Sequence, residues 1–189
     1  WEGQAYRDQM QELMARGCKI DIVGSQMHLF NPKESWAMAE GKIPRKASPE
    51  GIWKMMKILD VGKPIHLSEI TITAGDTTPR GRMLQAILTR NLYRLWFSIK
   101  PMMGITWWNV VDDCGAPGEP SLSGLFTRGM NPKPAYYALN ELINKEWKTN
   151  FNATPDADGN IKFRGFKGKY RFSWYDADGN EQFKIVEVK

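Results

Sequence analysis

The sequence predicts an α/β fold in which a parallel β-sheet with its helices is followed by a small all-β module. Apolar strand-like runs alternate with segments of helical periodicity along most of the chain. This alternation stops after about residue 147, where short strand-like runs take its place. The chain has 189 residues, of which 42% are hydrophobic and 25% charged, so it can build an apolar core.

The helices and strands of the α/β part are predicted from the spacing of apolar residues and from residues typical of helix ends. Four helices are predicted, over 5–16, 49–60, 80–99 and 134–145. Ser48-Pro49 indicates a helix start, because serine caps a helix N-terminus and proline suits the first helical position. Three strands are predicted over 19–30, 63–72 and 103–111, and Asn31-Pro32 is interpreted as a break. Strands that alternate with helices are expected to lie parallel, joined by right-handed crossovers.

The last part of the chain, 151–189, lacks helical periodicity. Three strands are predicted there, in NIKFRGF, KYRFSWYD and EQFKIVEVK. The sequence DADGN occurs at 156–160 and 176–180 and favours a tight turn over a calcium loop, because the glycine of an EF-hand loop stands at the sixth position. The predicted domains are therefore 1–147 and 148–189. Aromatic residues alternate in the second domain, which is more typical of a core than of a carbohydrate-binding face.

Composition excludes several classes of protein. The net charge of +5 comes from scattered basic residues, so we expect no nucleic-acid partner. No apolar run is long enough to cross a membrane, so no membrane partner is expected either. Cys18 and Cys114 are expected to be free thiols at opposite ends of the sheet, and no residue cluster suggests a metal or a cofactor.

Polar and aromatic side chains stand where each predicted strand ends. The first strand ends with Gln26 and His28, and the third ends with Trp108 and Asn109. The second strand contains Glu69, the sole acid within 64–73, and a carboxylate is costly to bury there unless it is paired or used. Because active sites of α/β barrels lie at the carboxyl ends of strands, these residues are candidates for chemistry.

Four segments carry a family resemblance: IDIVGSQMH, PIHLSEIT, GITWWNVVDD and NPKPAYYAL. Their order and spacing resemble the C-terminal half of glycoside hydrolase family 10 xylanases, whose patterns are close to IDGIGxQxH, VHITELD, GITFWG and QPKPAY. The resemblance implies the C-terminal part of a (β/α)₈ barrel, about strands six to eight. It also implies hydrolysis of internal β-1,4 bonds of xylan or xylo-oligosaccharides with retention of configuration.

The resemblance also implies roles for individual residues. Glu69 matches the nucleophile, and His28 matches the histidine that orients it. Gln26 and Trp108 match residues that bind the sugar at the cleavage site. Asn109, beside that tryptophan where the family has glycine, is expected to be a third substrate-binding residue. His66 and Trp107 are expected to be structural, the latter because neighbouring strand residues face opposite ways.

The sequence departs from the family pattern at several positions. Thr71 stands where the family has an aspartate that helps to fix the histidine, and the Ser-Trp of the following loop is replaced near Gly115-Ala116. The general acid/base glutamate of the family follows the fourth barrel strand and has no counterpart here. We therefore expect the N-terminal half of the same enzyme to accompany this chain, as a separate chain or fragment, and read the Trp1 start as a cut.

Alternatives stay open at this point. The chain is either a xylanase, a related barrel hydrolase acting on another β-glycan, or a non-catalytic carbohydrate-binding or scaffold protein. An extracellular, periplasmic or cell-surface location is expected, because a polymeric glycan is met outside the cytoplasm.

Overall fold

The computed structural model describes residues 3–42 and 48–188. The chain divides into two compact units, Trp1–Asn140 and Glu141–Lys189. The predicted domains, 1–147 and 148–189, divide the chain a little later and stay a prediction. No described helix is both long and apolar enough to span a bilayer.

The first unit alternates strands with helices as predicted, and the second contains a β-hairpin. In chain order the elements are α1 (Gly3–Ala15), β1 (Val23–Leu29), α2 (Pro32–Ala39), α3 (Pro49–Leu59), β2 (Ile65–Ile72), α4 (Pro79–Phe97), β3 (Met102–Trp107), α5 (Pro134–Glu141), a π-helical turn (Leu142–Glu146), β4 (Gly168–Tyr175) and β5 (Glu181–Val188).

Local capping chemistry sets where the helices begin. The Ser48 side chain accepts a hydrogen bond from the N–H of Gly51 at 3.1 Å, as the Ser-Pro signal predicts for the start of α3. The predicted break at Asn31-Pro32 is confirmed, because β1 ends at Leu29, but the helix that starts there, α2, was not predicted. Asn31 caps α2 by accepting from the N–H of Lys33 at 3.0 Å, and Pro32 is the first helical residue. The same two residue types that interrupt a strand thus also start a helix.

The three strands of the first unit form one parallel sheet in the order β1-β2-β3. The central strand is the most deeply buried, with Ile65, Leu67 and Ile70 each 0% exposed. Burial on both faces is what a parallel strand covered by helices requires. Within the described residues β1 and β3 each pair with β2 alone, so both edges of the sheet are free.

The third strand is shorter than the predicted 103–111. It ends at Trp107 because Asn109 has a φ of 62°, in the left-handed region that a strand cannot accommodate. Trp108 therefore stands just past the strand, and its N–H still donates to the carbonyl of Ile70 at 2.8 Å. The chain then enters the long loop that separates β3 from α5.

In the second unit β4 and β5 pair antiparallel, and 176–180 forms the predicted turn with Gly179 at a φ of 80°. The strand predicted in 160–166 was wrong. Phe163 packs its ring against Tyr170 and Phe172, at 5.4 and 5.5 Å between centroids. This segment therefore packs the Phe163 ring on one face of β4 and does not pair with the β4–β5 hairpin as a third strand.

Candidate functional site

Register brings the predicted residues of the first two strands together. Gln26 is paired with Glu69, and His28 with Thr71, at the carboxyl ends of β1 and β2. The Nε2 atom of His28 lies 3.8 Å from Oε2 of Glu69 and 3.3 Å from Oε1 of Gln26. The Glu69 side chain keeps 29% of its surface exposed, and that of His28 keeps 20%. A carboxylate reachable from solvent and faced by an imidazole is therefore present at the predicted position.

Thr71 completes this cluster on the other side of the imidazole. Its buried hydroxyl lies 2.9 Å from Nδ1 of His28. Because Nε2 faces two acceptor oxygens, those of Glu69 and Gln26, the proton of the neutral ring belongs on Nε2. The hydroxyl then donates to Nδ1, which an ionised carboxylate at this position is unable to do. The substitution of the family aspartate by threonine thus favours one tautomer of a neutral histidine.

The electrostatics of His28 agree with a neutral ring. Burial lowers the pKa of His28 below its usual 6.5, and the charges of Glu69 and Glu119 oppose this change without reversing it. At neutral pH the imidazole is therefore uncharged, with Nε2 3.3 Å from Oε1 of Gln26 and 3.8 Å from Oε2 of Glu69.

A second cluster forms where β3 passes into its loop, around Glu119. Trp108 donates from Nε1 to both carboxylate oxygens of Glu119, at 3.1 and 3.2 Å. The side-chain amide of Asn109 donates to Oε2, and so does the N–H of Ala116, the latter at 3.0 Å. Two of the predicted sugar-binding residues, Trp108 and Asn109, are thus tied to one loop carboxylate.

Glu119 was not among the residues singled out from the sequence. The hydrogen bond from Asn109, and then those from Trp108 and Ala116, lower the pKa of Glu119 below its usual 4.5. A resting general acid needs a raised pKa, so Glu119 is unsuited to that role. The available signal was weak: Glu119 is the only glutamate in the Gly- and Pro-rich loop 112–124.

The two residues expected to be structural make contacts within the fold. Trp107 donates from Nε1 to the carbonyl of Ser123 at 3.2 Å and stacks on Tyr93 at 6.4 Å between centroids. The Nε2 atom of His66 lies 2.9 Å from the Thr106 hydroxyl of the neighbouring strand. Trp107 thus contacts α4 and the carbonyl of Ser123, whereas Trp108 contacts Glu119.

A buried ion pair anchors the start of that loop. Lys133 is 1% exposed, and its Nζ lies 2.8 Å from Oδ1 of Asp112 and 3.1 Å from the carbonyl of Leu122. Asp112 also accepts from the N–H of Gly124 at 2.8 Å. Burial lowers the pKa of Lys133, and the Asp112 carboxylate opposes that change. The pair closes the loop onto its own ends and so holds Glu119 in reach of Trp108.

Gln85 of α4 ties the same loop to the strand that carries Glu69. Its side chain is fully buried, and Nε2 donates to the carbonyls of Ile72 and Gly124 at 2.8 and 3.2 Å. The carboxyl end of β2 and the loop after β3 are thus joined through one amide. Among the described residues, no group of three or more His, Cys, Asp or Glu is arranged to hold a metal ion. Cys18 and Cys114 are both free and exposed.

Comparison with known proteins gives one family. The family model described as glycosyl hydrolase family 10 matches residues 2–142. Two curated relatives are each 26% identical over 138 residues, which is 72% of this chain: endo-1,4-β-xylanase A of Thermoanaerobacterium saccharolyticum and an exoglucanase of Acetivibrio thermocellus. The chain covers only 11% and 12% of their lengths.

Solved structures agree in fold. Xylanase 10B from Thermotoga maritima matches with a TM-score of 0.58 at 20% identity, over 75% of this chain and 42% of that one. The intracellular xylanase of T. saccharolyticum, in complex with xylotetraose, matches with a TM-score of 0.57 at 20% identity, over 73% of this chain and 39% of that one. At such identities the likeness shows the fold, and it supports the α/β class. The resemblance to the C-terminal half of the family's xylanases is confirmed.

Proposed function

Because the chain belongs to glycosyl hydrolase family 10, we propose that it supplies the nucleophile of a retaining endo-1,4-β-xylanase. The observation that carries the proposal is the position of Glu69. This partly exposed carboxylate lies at the carboxyl end of β2, beside Gln26 and with the neutral His28 3.8 Å away. The proposed barrel segment comprises strands six to eight, which correspond to β1, β2 and β3.

The proposed reaction is a double displacement. An oxygen of Glu69 attacks the anomeric carbon, the bond to the leaving sugar breaks, and a general acid gives its proton to the departing oxygen. Water then attacks the glycosyl-enzyme ester, the same acid/base group takes a proton from that water, and Glu69 leaves as a carboxylate. His28 orients Glu69, while Gln26, Trp108 and Asn109 contact the sugar.

The general acid/base comes from an N-terminal segment of the same enzyme. The lowered pKa of Glu119 makes it unsuited to this role. Within the described part of the chain, β1 and β3 also have free edges, which a closed barrel does not leave. A cleft of about 690 Å³ lies along β1, lined by residues that include Tyr6, Gly24 and Gln26. The matched structures extend well beyond this chain, which spans 39–42% of them. These features support a partner segment that pairs with the open edge.

The names of the relatives also bear on the substrate. Most describe xylanases, and one describes an exoglucanase, so β-glucan is the second candidate substrate. A non-catalytic carbohydrate-binding role is the remaining alternative, because Thr71 stands where the family has aspartate. A location outside the cytoplasm stays a prediction, and one structural relative is described as intracellular.

Hydrolysis of xylan by the full protein tests the proposal. Reducing ends are measured on xylan and on mixed-linkage β-glucan, with binding of xylotetraose followed by calorimetry. Glu69→Ala should abolish hydrolysis and retain binding. Glu50→Gln is the matched control, since Glu50 is an exposed acid of α3 paired only with the exposed Lys54 among the contacts described. Release of reducing ends from β-glucan but not from xylan would show that β-glucan is the substrate. Binding without any hydrolysis by the wild type would favour the non-catalytic alternative.

A further inference from the structure

Three N–H groups converge on the carboxylate of Glu119. The indole of Trp108 and the N–H of Ala116 approach it at 3.0 to 3.2 Å, and the Asn109 amide is the third donor. An ionised carboxylate has two acceptor oxygens with about four lone-pair sites, so it satisfies all three donors. A glutamine in its place has one acceptor oxygen and leaves part of this set unmatched.

The backbone around this carboxylate is shaped to admit it. Asn109 has a φ of 62°, a left-handed conformation that turns its amide toward the loop. A Cβ added at Gly115 would stand 2.7 Å from Oε2 of Glu119 and 2.9 Å from Nδ2 of Asn109, so a larger residue there would displace the ends of these two side chains. Glu119 is itself held by a turn in which its N–H donates to the carbonyl of Ala116 at 3.0 Å. The loop therefore presents Glu119 at one fixed place.

Trp108 has little else to fix its ring. Trp108 is 37% exposed, and within the described residues its indole hydrogen-bonds to Glu119 alone. An indole that serves as a platform for a pyranose must hold its plane, because a displacement of about 1 Å can cost a large factor in rate or binding. A charged hydrogen bond is directional and strong enough to restrict such a ring.

We propose that Glu119 is a positioning residue for substrate binding: it locks the indole plane of Trp108 and the amide of Asn109. This inference rests on the proposed function, in which both residues contact the sugar. Where the family pattern has an aromatic lid, this loop instead holds a carboxylate at the Nε1 edge of the Trp108 indole. The negative charge of Glu119 also raises the pKa of His28, against the larger lowering by burial.

The test compares Glu119→Gln and Glu119→Ala with wild type in the full protein, with Glu50→Gln as the control. We expect KM for xylotetraose to rise about tenfold in Glu119→Ala and less in Glu119→Gln, with kcat changed by no more than about twofold. In ¹H–¹⁵N spectra the Trp108 indole signal, assigned with Trp108→Phe, should titrate with Glu119 in the wild type. That pH dependence should vanish in both variants.

The outcomes separate this inference from the proposed function. An unchanged KM in an active enzyme, or a wild-type indole signal that ignores the ionisation of Glu119, would overturn the positioning role alone. A wild type that neither binds nor cleaves xylotetraose would overturn the proposed function and this inference with it. A loss of kcat in Glu119→Gln without a change in KM would also contradict a positioning role.

Discussion

The ion pair between Lys133 and Asp112 allows a quantitative prediction about stability. Replacing Lys133 by methionine keeps the length and apolar stem of the side chain but removes the ammonium. Asp112, which is 5% exposed, would then be left buried with a single hydrogen bond, from the N–H of Gly124. The carbonyl of Leu122 would lose one donor and keep the N–H of Ala74 at 3.0 Å.

Removing one partner of a buried ion pair costs about 3–5 kcal/mol of unfolding free energy. A domain of this size loses roughly 2–4 °C of Tm for each kcal/mol, so Lys133→Met should lower Tm by roughly 6–20 °C. The double variant Asp112→Leu with Lys133→Met should recover most of the loss, because no uncompensated buried charge remains.

Thermal and urea unfolding of the full protein measure this effect. The control is Lys145→Met, whose partner Glu141 is also exposed and whose pair should contribute about 0.3–0.5 kcal/mol. A loss below about 1 kcal/mol in Lys133→Met, or no recovery in the double variant, would refute the reasoning that an unpaired carboxylate is the source of the cost.

Three further predictions concern the site. The pKa of His28 is lower in the folded state than in the unfolded state, so the neutral ring stabilises the fold fully above about pH 6.5. This stabilisation should be lost as the pH falls from about 6.5 through the folded-state pKa, and the free energy of unfolding measured as a function of pH should show the loss. Thr71→Asp should raise the pKa of His28, because a carboxylate at Nδ1 stabilises the imidazolium, and NMR titration of the ring should detect this. Trp108→Ala should weaken xylotetraose binding about tenfold, which titration calorimetry can measure. Trp107→Phe should instead lower Tm in melting curves and leave xylotetraose binding unchanged.

Local patterns predicted much of the fold. Ser48-Pro49 indicates a helix start because capping depends on a few neighbouring atoms, and the apolar run around Glu69 indicates a buried strand. The omission of α2 has the same origin. Asn31-Pro32 is compatible with a break alone and with a break that also starts a helix, and only packing of the following residues decides between them.

The candidate site was predictable to the extent that it depends on strand register. Glu69 and His28 lie on neighbouring strand ends, so their proximity follows from a parallel sheet. Glu119 was missed because loop closure, through Lys133 and Asp112, brings it to Trp108. No periodicity in the sequence encodes that approach, and a single acid in a loop resembles an ordinary solvated charge.

The part played by the threonine was only half predictable. The sequence shows that Thr71 replaces an acid, but the direction of the hydrogen bond depends on what faces the other ring nitrogen. That nitrogen faces Gln26 and Glu69, which the register of β1 against β2 determines. A hydroxyl can donate as well as accept, so Thr71 keeps the contact with Nδ1 and can donate to a neutral His28.

Trapping of the covalent intermediate tests the central claim most directly. The full protein is incubated with a 2-deoxy-2-fluoro-xylobioside that carries a good leaving group, and the labelled peptide is identified by mass spectrometry. Glu69 should carry the fluoroxylobiosyl ester, and Glu69→Ala should stay unlabelled. An adduct on another carboxylate, or xylan products released with inverted configuration, would contradict the assignment of Glu69 as the nucleophile.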